Sequence, residues 1–152
     1  ASATQANAFH GEAWGAEAAV TLQPVAWWLL RGSLSFVEIA LRRTDPAASR
    51  ASGEGAESLS PAQQAGLRSS CKLGAGGEGD VWFRRVGELP GTTSRVPDYS
   101  ALDARVSWQA RAGVLLSLSG QNLLEPLHQE FRFFATRWEI PRSVTGELTL
   151  RL

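Results

Sequence analysis

The last ten residues of the chain, Ser143-Val144-Thr145-Gly146-Glu147-Leu148-Thr149-Leu150-Arg151-Leu152, indicate its fold class most clearly. Apolar residues and one glycine occupy the even positions, and polar residues occupy the odd positions. Successive side chains of a β-strand point to opposite faces of a sheet, so a period of two predicts a strand with one apolar and one polar face.

The same alternation recurs upstream, and each repeat predicts another strand. The segments are 14–23, 28–37, 64–73, 79–89, 102–109 and 114–121. The two faces separate less cleanly in 79–89, where Val81 and Phe83 lie opposite Trp82, Arg84 and Val86. With the closing strand, the sequence predicts seven strands.

The connections between these strands alternate in length. Those at Pro24, Gly76 and Arg111 are short, whereas 41–60, 88–98 and 122–139 are long. Outer-membrane barrels have tight periplasmic turns and extended outer loops. The fold class predicted is therefore all-β, an antiparallel up-and-down meander whose closing strand ends on the periplasmic side.

Aromatic residues fit the two interfaces of such a wall. Trp27, Trp28, Trp82 and Trp108 lie near short turns and are predicted to form an inner girdle. Tyr99 and Trp138 lie at the long-loop ends of their strands, where a second interfacial belt is expected.

Composition excludes several classes of protein. A hydrophobic fraction of 43% beside 20% charged residues argues against disorder, and 15 basic residues balance 15 acidic ones, so no global field attracts nucleic acid. The single cysteine, Cys71, permits no internal disulfide. No apolar run reaches the roughly 18 residues that a membrane helix needs, a requirement that does not apply to barrel strands.

No segment predicts catalysis, a cofactor or a metal site. His128 and Glu130 are two residues apart, without the third and fourth ligands that a metal centre requires. The glycine-rich segment 74–79 lacks the Lys-Ser/Thr ending of a phosphate loop, and Ser69-Ser70-Cys71 has no ordered His and Asp partners. We expect that the chain is not an enzyme.

Two segments resemble the C-terminal barrel of the TonB-dependent outer-membrane receptors, which import iron complexes. The family's Tyr-x-x-Leu-Asp-x-Arg strand is similar to Tyr99-Ser100-Ala101-Leu102-Asp103-Ala104-Arg105, and its Gly-x-Asn-Leu-Leu segment to Gly120-Gln121-Asn122-Leu123-Leu124. The similarity continues through His128-Gln129-Glu130-Phe131 and Ile140-Pro141-Arg142-Ser143-Val144 to the closing strand.

The resemblance implies that residues 1–152 are the C-terminal portion of a 22-stranded transmembrane β-barrel in the outer membrane of a Gram-negative bacterium. It implies import of a metal chelate, with a ferric siderophore expected as cargo. The implied partners are a plug domain, the inner-membrane protein TonB reached through the receptor's N-terminus, the outer-membrane assembly machinery and the lipid bilayer. The chain begins Ala1-Ser2-Ala3 and contains no methionine, so a fragment without the plug is expected.

Three groups of residues are candidates for function. Basic residues on polar faces, chiefly Arg68 and Arg105, are expected to point into the lumen, where they contact the ligand or brace the wall. The outer-loop aromatics are candidates for ligand contact: Phe131, Phe133, Phe134 and Trp138. The assembly signal is Gly146, Leu148, Leu150 and Leu152, although the family usually ends in an aromatic residue rather than leucine.

Two alternative classes remain open at this point. One is a passive porin-type or autotransporter barrel, which has the same strand pattern. The other is a soluble ligand-binding β-barrel, in which the apolar faces converge on a dry core.

Overall fold

A computed structural model of the chain describes residues 7–47, 57, 60–89, 95–130 and 139–151. Seven strands form one antiparallel sheet in the order β1-β2-β3-β4-β5-β6-β9. They are β1 (Phe9–Val25), β2 (Trp28–Arg43), β3 (Gln63–Gly74), β4 (Gly77–Val86), β5 (Tyr99–Arg111), β6 (Val114–Gln121) and β9 (Ser143–Leu150). The predicted all-β meander of seven strands is confirmed.

The sheet is open, since β1 and β9 each pair on one side only. The described residues thus form no closed barrel, and the number of strands in a complete barrel stays a prediction. The last long connection contains two further short strands, β7 (Leu127–Gln129) and β8 (Glu139–Pro141), which pair with each other.

The three short connections are hairpin turns, as predicted. Ala75 and Gly76 both have positive φ, of 46° and 78°, as in the two-residue turn that matches the twist of its strands. The predicted turn at Pro24 was wrong, because β1 continues to Val25 and the turn is Ala26-Trp27. Pro24 lies where the β1–β2 register shifts, a position on an edge strand that tolerates a residue without an N–H.

The register places most of the apolar residues of the seven strands on one face. Direct partners in an antiparallel pair point to the same side. Apolar residues are partners in this way across neighbouring strands, as in Leu34 with Ala65 and in Leu67 with Phe83 and Leu102. Polar residues that lie on this mostly apolar face include Ser69 and Arg85. The apolar residues of this face include Ala16, Ala18, Val20, Leu22, Leu30, Leu34, Phe36, Ala65, Leu67, Val81, Phe83, Leu102, Ala104, Val106, Trp108, Leu116, Leu118, Val144, Leu148 and Leu150.

This apolar face is not covered by any described part of the chain. Leu34 is 62% exposed at one side of the sheet and Val144 is 66% exposed at the other. The only buried hydrophobic residues among those described are Val96 and Ala101, near the long-loop ends of the strands. No helix in the described residues is long and apolar enough to cross a membrane.

Candidate functional site

The polar face of the sheet carries a set of hydrogen-bonded charges centred on Asp80. Its Oδ1 accepts hydrogen bonds from Arg68 Nε and Nη2, at 3.2 and 3.0 Å, and from the Ser70 hydroxyl at 2.5 Å. Arg105 is the direct cross-strand partner of Asp80 and donates from Nη2 to Ser117 Oγ at 3.4 Å. Both predicted basic residues therefore lie on the polar face and flank one carboxylate.

A second group on the same face joins β4 to β5. Arg84 Nη2 lies 3.0 Å from Asp103 Oδ2, and the Arg84 guanidinium lies 4.6 Å from the centre of the Trp82 ring. Both side chains of the ion pair are less than one third exposed, so the pair is only partly screened by solvent. Arg84 was not among the candidate residues that the sequence indicated.

Asp103 also fixes the start of the last long connection. Asn122 has a positive φ of 53° where β6 ends, and its backbone N–H donates to Asp103 Oδ1 at 2.9 Å. The Asn122 side chain donates from Nδ2 to the Ile140 carbonyl at 2.9 Å. The side chain therefore bonds the backbone at the end of the strand ladder.

Beyond Asn122 the connection folds onto the polar face. The His128 ring stacks on Tyr99, with ring centroids 4.5 Å apart and planes 24° from parallel. His128 Nε2 lies 2.8 Å from Glu130 Oε1, and the side chains of His128 and Glu130 are 4% and 13% exposed. His128 and Glu130, which the sequence left without further metal ligands, therefore form a buried hydrogen-bonded contact.

The predicted aromatic girdles were correct only in part. Trp28 and Trp108 lie on the apolar face near the short turns, and their indole N–H groups donate to Ser69 Oγ at 2.9 Å and to the Ala75 carbonyl at 3.1 Å. The prediction was wrong for Trp82 and Tyr99. Trp82 lies on the polar face because it is the direct cross-strand partner of Arg68 and Asp103, and Tyr99 stacks under the long connection.

The remaining candidates fall in two places. Phe131, Phe133, Phe134 and Trp138 lie outside the described residues, so their predicted ligand contact stays a prediction. Of the predicted assembly signal, Gly146, Leu148 and Leu150 lie on the apolar face of β9, whereas Leu152 is outside the described residues.

The described ranges contain no cluster of three or more His, Cys, Asp or Glu side chains able to hold a metal ion. Cys71 is a free thiol on the apolar side of β3, where it is the cross-strand partner of Trp28 and Gly79. The contacts observed on the polar face are ionic and hydrogen-bonding.

Comparison with known proteins gives a match of fold. No family model matches the chain, and a search of curated proteins finds no significant match. A solved structure named copper transporter OprC superimposes with a TM-score of 0.65 over 92% of this chain, at 15% sequence identity. The match spans 24% of that transporter's own chain, so this chain has the fold of about a quarter of it.

Proposed function

We propose that the chain is a wall segment of an outer-membrane TonB-dependent receptor that imports a metal ion or metal chelate. The observation that carries this proposal is the uncovered apolar face, which runs across all seven strands of the sheet. Exposed apolar patches on soluble monomers rarely exceed a few hundred Å². Hydrocarbon is the environment in which such a face is stable.

The dimensions of the apolar face support a membrane. On β5 the apolar side runs from Leu102 to Trp108, which at the usual strand rise corresponds to about 20 Å. Outer-membrane barrels present an apolar band of about 25 Å flanked by aromatic girdles. Trp28 and Trp108 direct their N–H groups to polar partners near the turns, as interfacial tryptophans do.

The absence of a dry centre argues against the soluble barrel. A soluble sandwich or small barrel buries its apolar faces against each other. The described residues instead leave Val106 44% exposed and Leu118 52% exposed on adjacent central strands.

The choice of receptor over passive porin rests on the motif. Its two parts, the Tyr-x-x-Leu-Asp-x-Arg strand and the Gly-x-Asn-Leu-Leu segment, are joined directly by the hydrogen bond from Asn122 to Asp103. Because this hydrogen bond joins the two parts, their occurrence in the same chain has a structural reason. This supports treating them together as a feature of the family. A wall segment needs no catalytic residues, and we propose no enzymatic activity.

The cargo proposed is a metal in free or chelated form. The copper transporter whose fold is similar supports a metal ion, while the family resemblance supports a chelate such as a ferric siderophore. In this proposal residues 1–152 belong to the C-terminal part of the barrel domain, and a plug and TonB complete the machine. The long connections then face the cell exterior and the short turns the periplasm.

Uptake by the full-length protein in its own bacterium tests the function. A deletion strain and its complemented counterpart are compared for uptake of radiolabelled Cu²⁺ and of iron-55 in a panel of ferric chelates, with and without a protonophore. We expect complementation to raise uptake of at least one of these probes, and the protonophore to abolish the gain. Equal uptake in the two strains, or a gain that the protonophore leaves intact, contradicts energy-coupled import.

A further inference from the structure

The last long connection crosses the outer end of the sheet from one face to the other. Leu123 lies on the apolar side, where a Cβ added to Gly120 would be 2.8 Å from the Leu123 Cδ2. Five residues later, the His128 ring stacks on Tyr99. Tyr99 lies on the polar face of β5, because it is an even number of residues from Asp103 in an unbroken ladder. The connection therefore passes over the end of the sheet and comes to lie on the polar face.

The hairpin formed by β7 and β8 is packed against the polar face at this level. Ala101 lies between Tyr99 and Asp103 on that face and is fully buried, at 0% exposure. Arg68, further along the same face, has a side chain that is half exposed. The buried polar residues of the described ranges all lie in the last connection: Asn122, His128 and Gln129. The connection thus forms a packed layer on the outer end of the polar face.

One side of the β7–β8 hairpin faces the sheet and the other faces away from it. His128 and Ile140 are direct partners in the ladder, so they point to the same side, and His128 is buried against Tyr99. Leu127 points to the opposite side and is 52% exposed. Two β layers that pack face to face lie about 10 Å apart. The hairpin therefore occupies about the first 10 Å of space above this part of the polar face.

Both arms of the hairpin are held by hydrogen bonds. In the entry arm, the Asn122 backbone N–H donates to Asp103 Oδ1 at 2.9 Å. In the exit arm, the Ile140 carbonyl accepts a hydrogen bond from Asn122 Nδ2 at 2.9 Å, and the Arg142 N–H donates to the Pro126 carbonyl at 2.9 Å. A lid that swings needs hinge residues whose backbone angles are free to change. Bonds at both ends oppose such a hinge, so the arms are fixed in place.

The first long connection begins in a different way. The β1–β2 ladder continues past Phe36, the last β2 residue with a cross-strand partner in β3, as far as Arg43. At the usual rise per residue, 37–43 extend about 23 Å beyond the start of β3. β6 instead ends at Gln121, and the positive φ of Asn122 turns the chain back over the sheet. The outer end of the sheet is therefore extended at β1 and β2 and covered at β5.

We propose that the β7–β8 hairpin is a fixed constriction inside the outer mouth of the barrel, which narrows the entrance beside β5. This inference rests on the proposed function, in which the polar face is the inner wall and the long connections lie at the outer end. Solutes that enter the barrel then pass the hairpin on the side away from β5. The arms are ordered before any cargo binds, so cargo binding does not bear the entropic cost of ordering them.

Thiol labelling measures whether the hairpin stays on the wall. In the full-length protein with Cys71→Ala, reconstituted in bilayers, Ala101→Cys places a thiol beneath the hairpin, and Glu38→Cys places a control thiol at an exposed position of β2. We expect a water-soluble maleimide to react at 101 at least a hundredfold more slowly than at 38. A lid that swings open exposes residue 101 in part of the molecules, so a smaller difference overturns the fixed constriction.

Releasing the hairpin tests what protects residue 101. His128→Ala removes the stack on Tyr99 and the hydrogen bond to Glu130, and it is expected to speed labelling at 101 at least tenfold. Leu127→Ala, on the side of the hairpin that faces away from the sheet, is expected to leave the rate within twofold. A rate that His128→Ala leaves unchanged overturns the constriction, because another part of the receptor then covers the site.

A second cysteine position keeps the test decisive if Ala101→Cys impairs folding. Gln129→Cys lies within the hairpin itself, where residue 129 is 8% exposed. The same slow labelling, and the same acceleration by His128→Ala, are expected there. Rapid labelling at 129 in the otherwise unchanged protein overturns the fixed hairpin.

Failure of the constriction is distinguishable from failure of the proposed function. Flotation of the vesicles reports whether the protein has inserted into the bilayer, and its gel mobility before and after heating reports whether the barrel has folded. A folded and inserted protein with rapid labelling at 101 contradicts the constriction alone. A protein that does not insert contradicts the wall assignment as well.

Discussion

The Asp103 carboxylate holds Asn122 by accepting its backbone N–H at 2.9 Å, while its other oxygen lies 3.0 Å from Arg84 Nη2. One side chain in β5 thereby joins the neighbouring strand β4 to the start of the last long connection. The left-handed backbone of Asn122, with φ of 53°, directs that connection away from β6. The connection then covers Tyr99 with His128.

Replacing Asp103 is expected to release the long connection. Asp103→Ala removes the acceptor for the Asn122 N–H and leaves Arg84 partly buried without its carboxylate, at a cost of about 2 kcal/mol. Hydrogen exchange of the 122–130 backbone in the folded protein should speed up by at least tenfold. Asp98→Ala, which breaks the more exposed pair with Arg85, is the matched control and should leave exchange in 122–130 within twofold.

The stacked contact between Tyr99 and His128 is expected to stabilise the same connection independently of charge. His128→Phe preserves stacking but removes the hydrogen bond to the nearly buried Glu130, while His128→Ala removes both. Loss of a partner for a buried polar group costs about 1 to 3 kcal/mol. Limited proteolysis between 122 and 130 should be fastest in the alanine variant and intermediate in the phenylalanine variant, and equal rates in both would contradict a stabilising stack.

Two glycines near the closing strand should differ in how much free energy their substitution costs. Gly113 has a φ of 77°, and a Cβ there would lie 2.5 Å from the Arg151 carbonyl oxygen, whereas a Cβ on Gly146 would meet no atom within 4 Å. Gly113→Ala is therefore expected to cost at least 1 to 2 kcal/mol of folding free energy, and Gly146→Ala less than about 0.5 kcal/mol. Urea unfolding in lipid vesicles measures both, and equal midpoints would contradict this geometry.

A carboxylate introduced on each face of β5 in turn should distinguish the lipid-facing side of the strand from the water-facing side. Val106 pairs with Gly79 and Leu118 on the apolar face, while the adjacent Ser107 pairs with Glu78 and Ser117 on the polar face. Charge on the lipid face costs about 2 to 4 kcal/mol for Arg or Lys at mid-depth and less for Asp. Val106→Asp is expected to reduce the folded protein in the outer membrane severalfold, with Ser107→Asp near wild type; equal levels would contradict the facing.

Most of the sheet followed from local sequence. A strand's facing depends only on the parity of its residues, so the alternation in β1, β2, β5, β6 and β9 predicted both the strands and their faces. The parity of Trp82 with Arg84 was visible in the sequence too. Proximity to a short turn nevertheless suggested a girdle position for Trp82, although parity, rather than depth along the strand, decides which face a side chain occupies.

Contacts between distant segments did not follow from the sequence. The ion pair of Arg84 with Asp103 depends on a diagonal relation between β4 and β5, and the stack of Tyr99 on His128 depends on the path of a long connection. Both require the register between strands, which parity alone does not give. The neighbouring positions of Arg31 and Arg68 likewise appear only when β2 and β3 are aligned.

Collisional accessibility of spin labels measures most directly whether the apolar face meets lipid. In the full-length protein with Cys71→Ala, reconstituted in bilayers, a nitroxide is placed in turn at Leu116 and Ser117, neighbours on opposite faces of β6. We predict that the label at 116 collides mainly with oxygen, which concentrates in hydrocarbon, and that the label at 117 collides mainly with a water-soluble nickel complex. Higher nickel accessibility at 116 than at 117, or protection of the label at 116 from both reagents, would contradict the transmembrane wall.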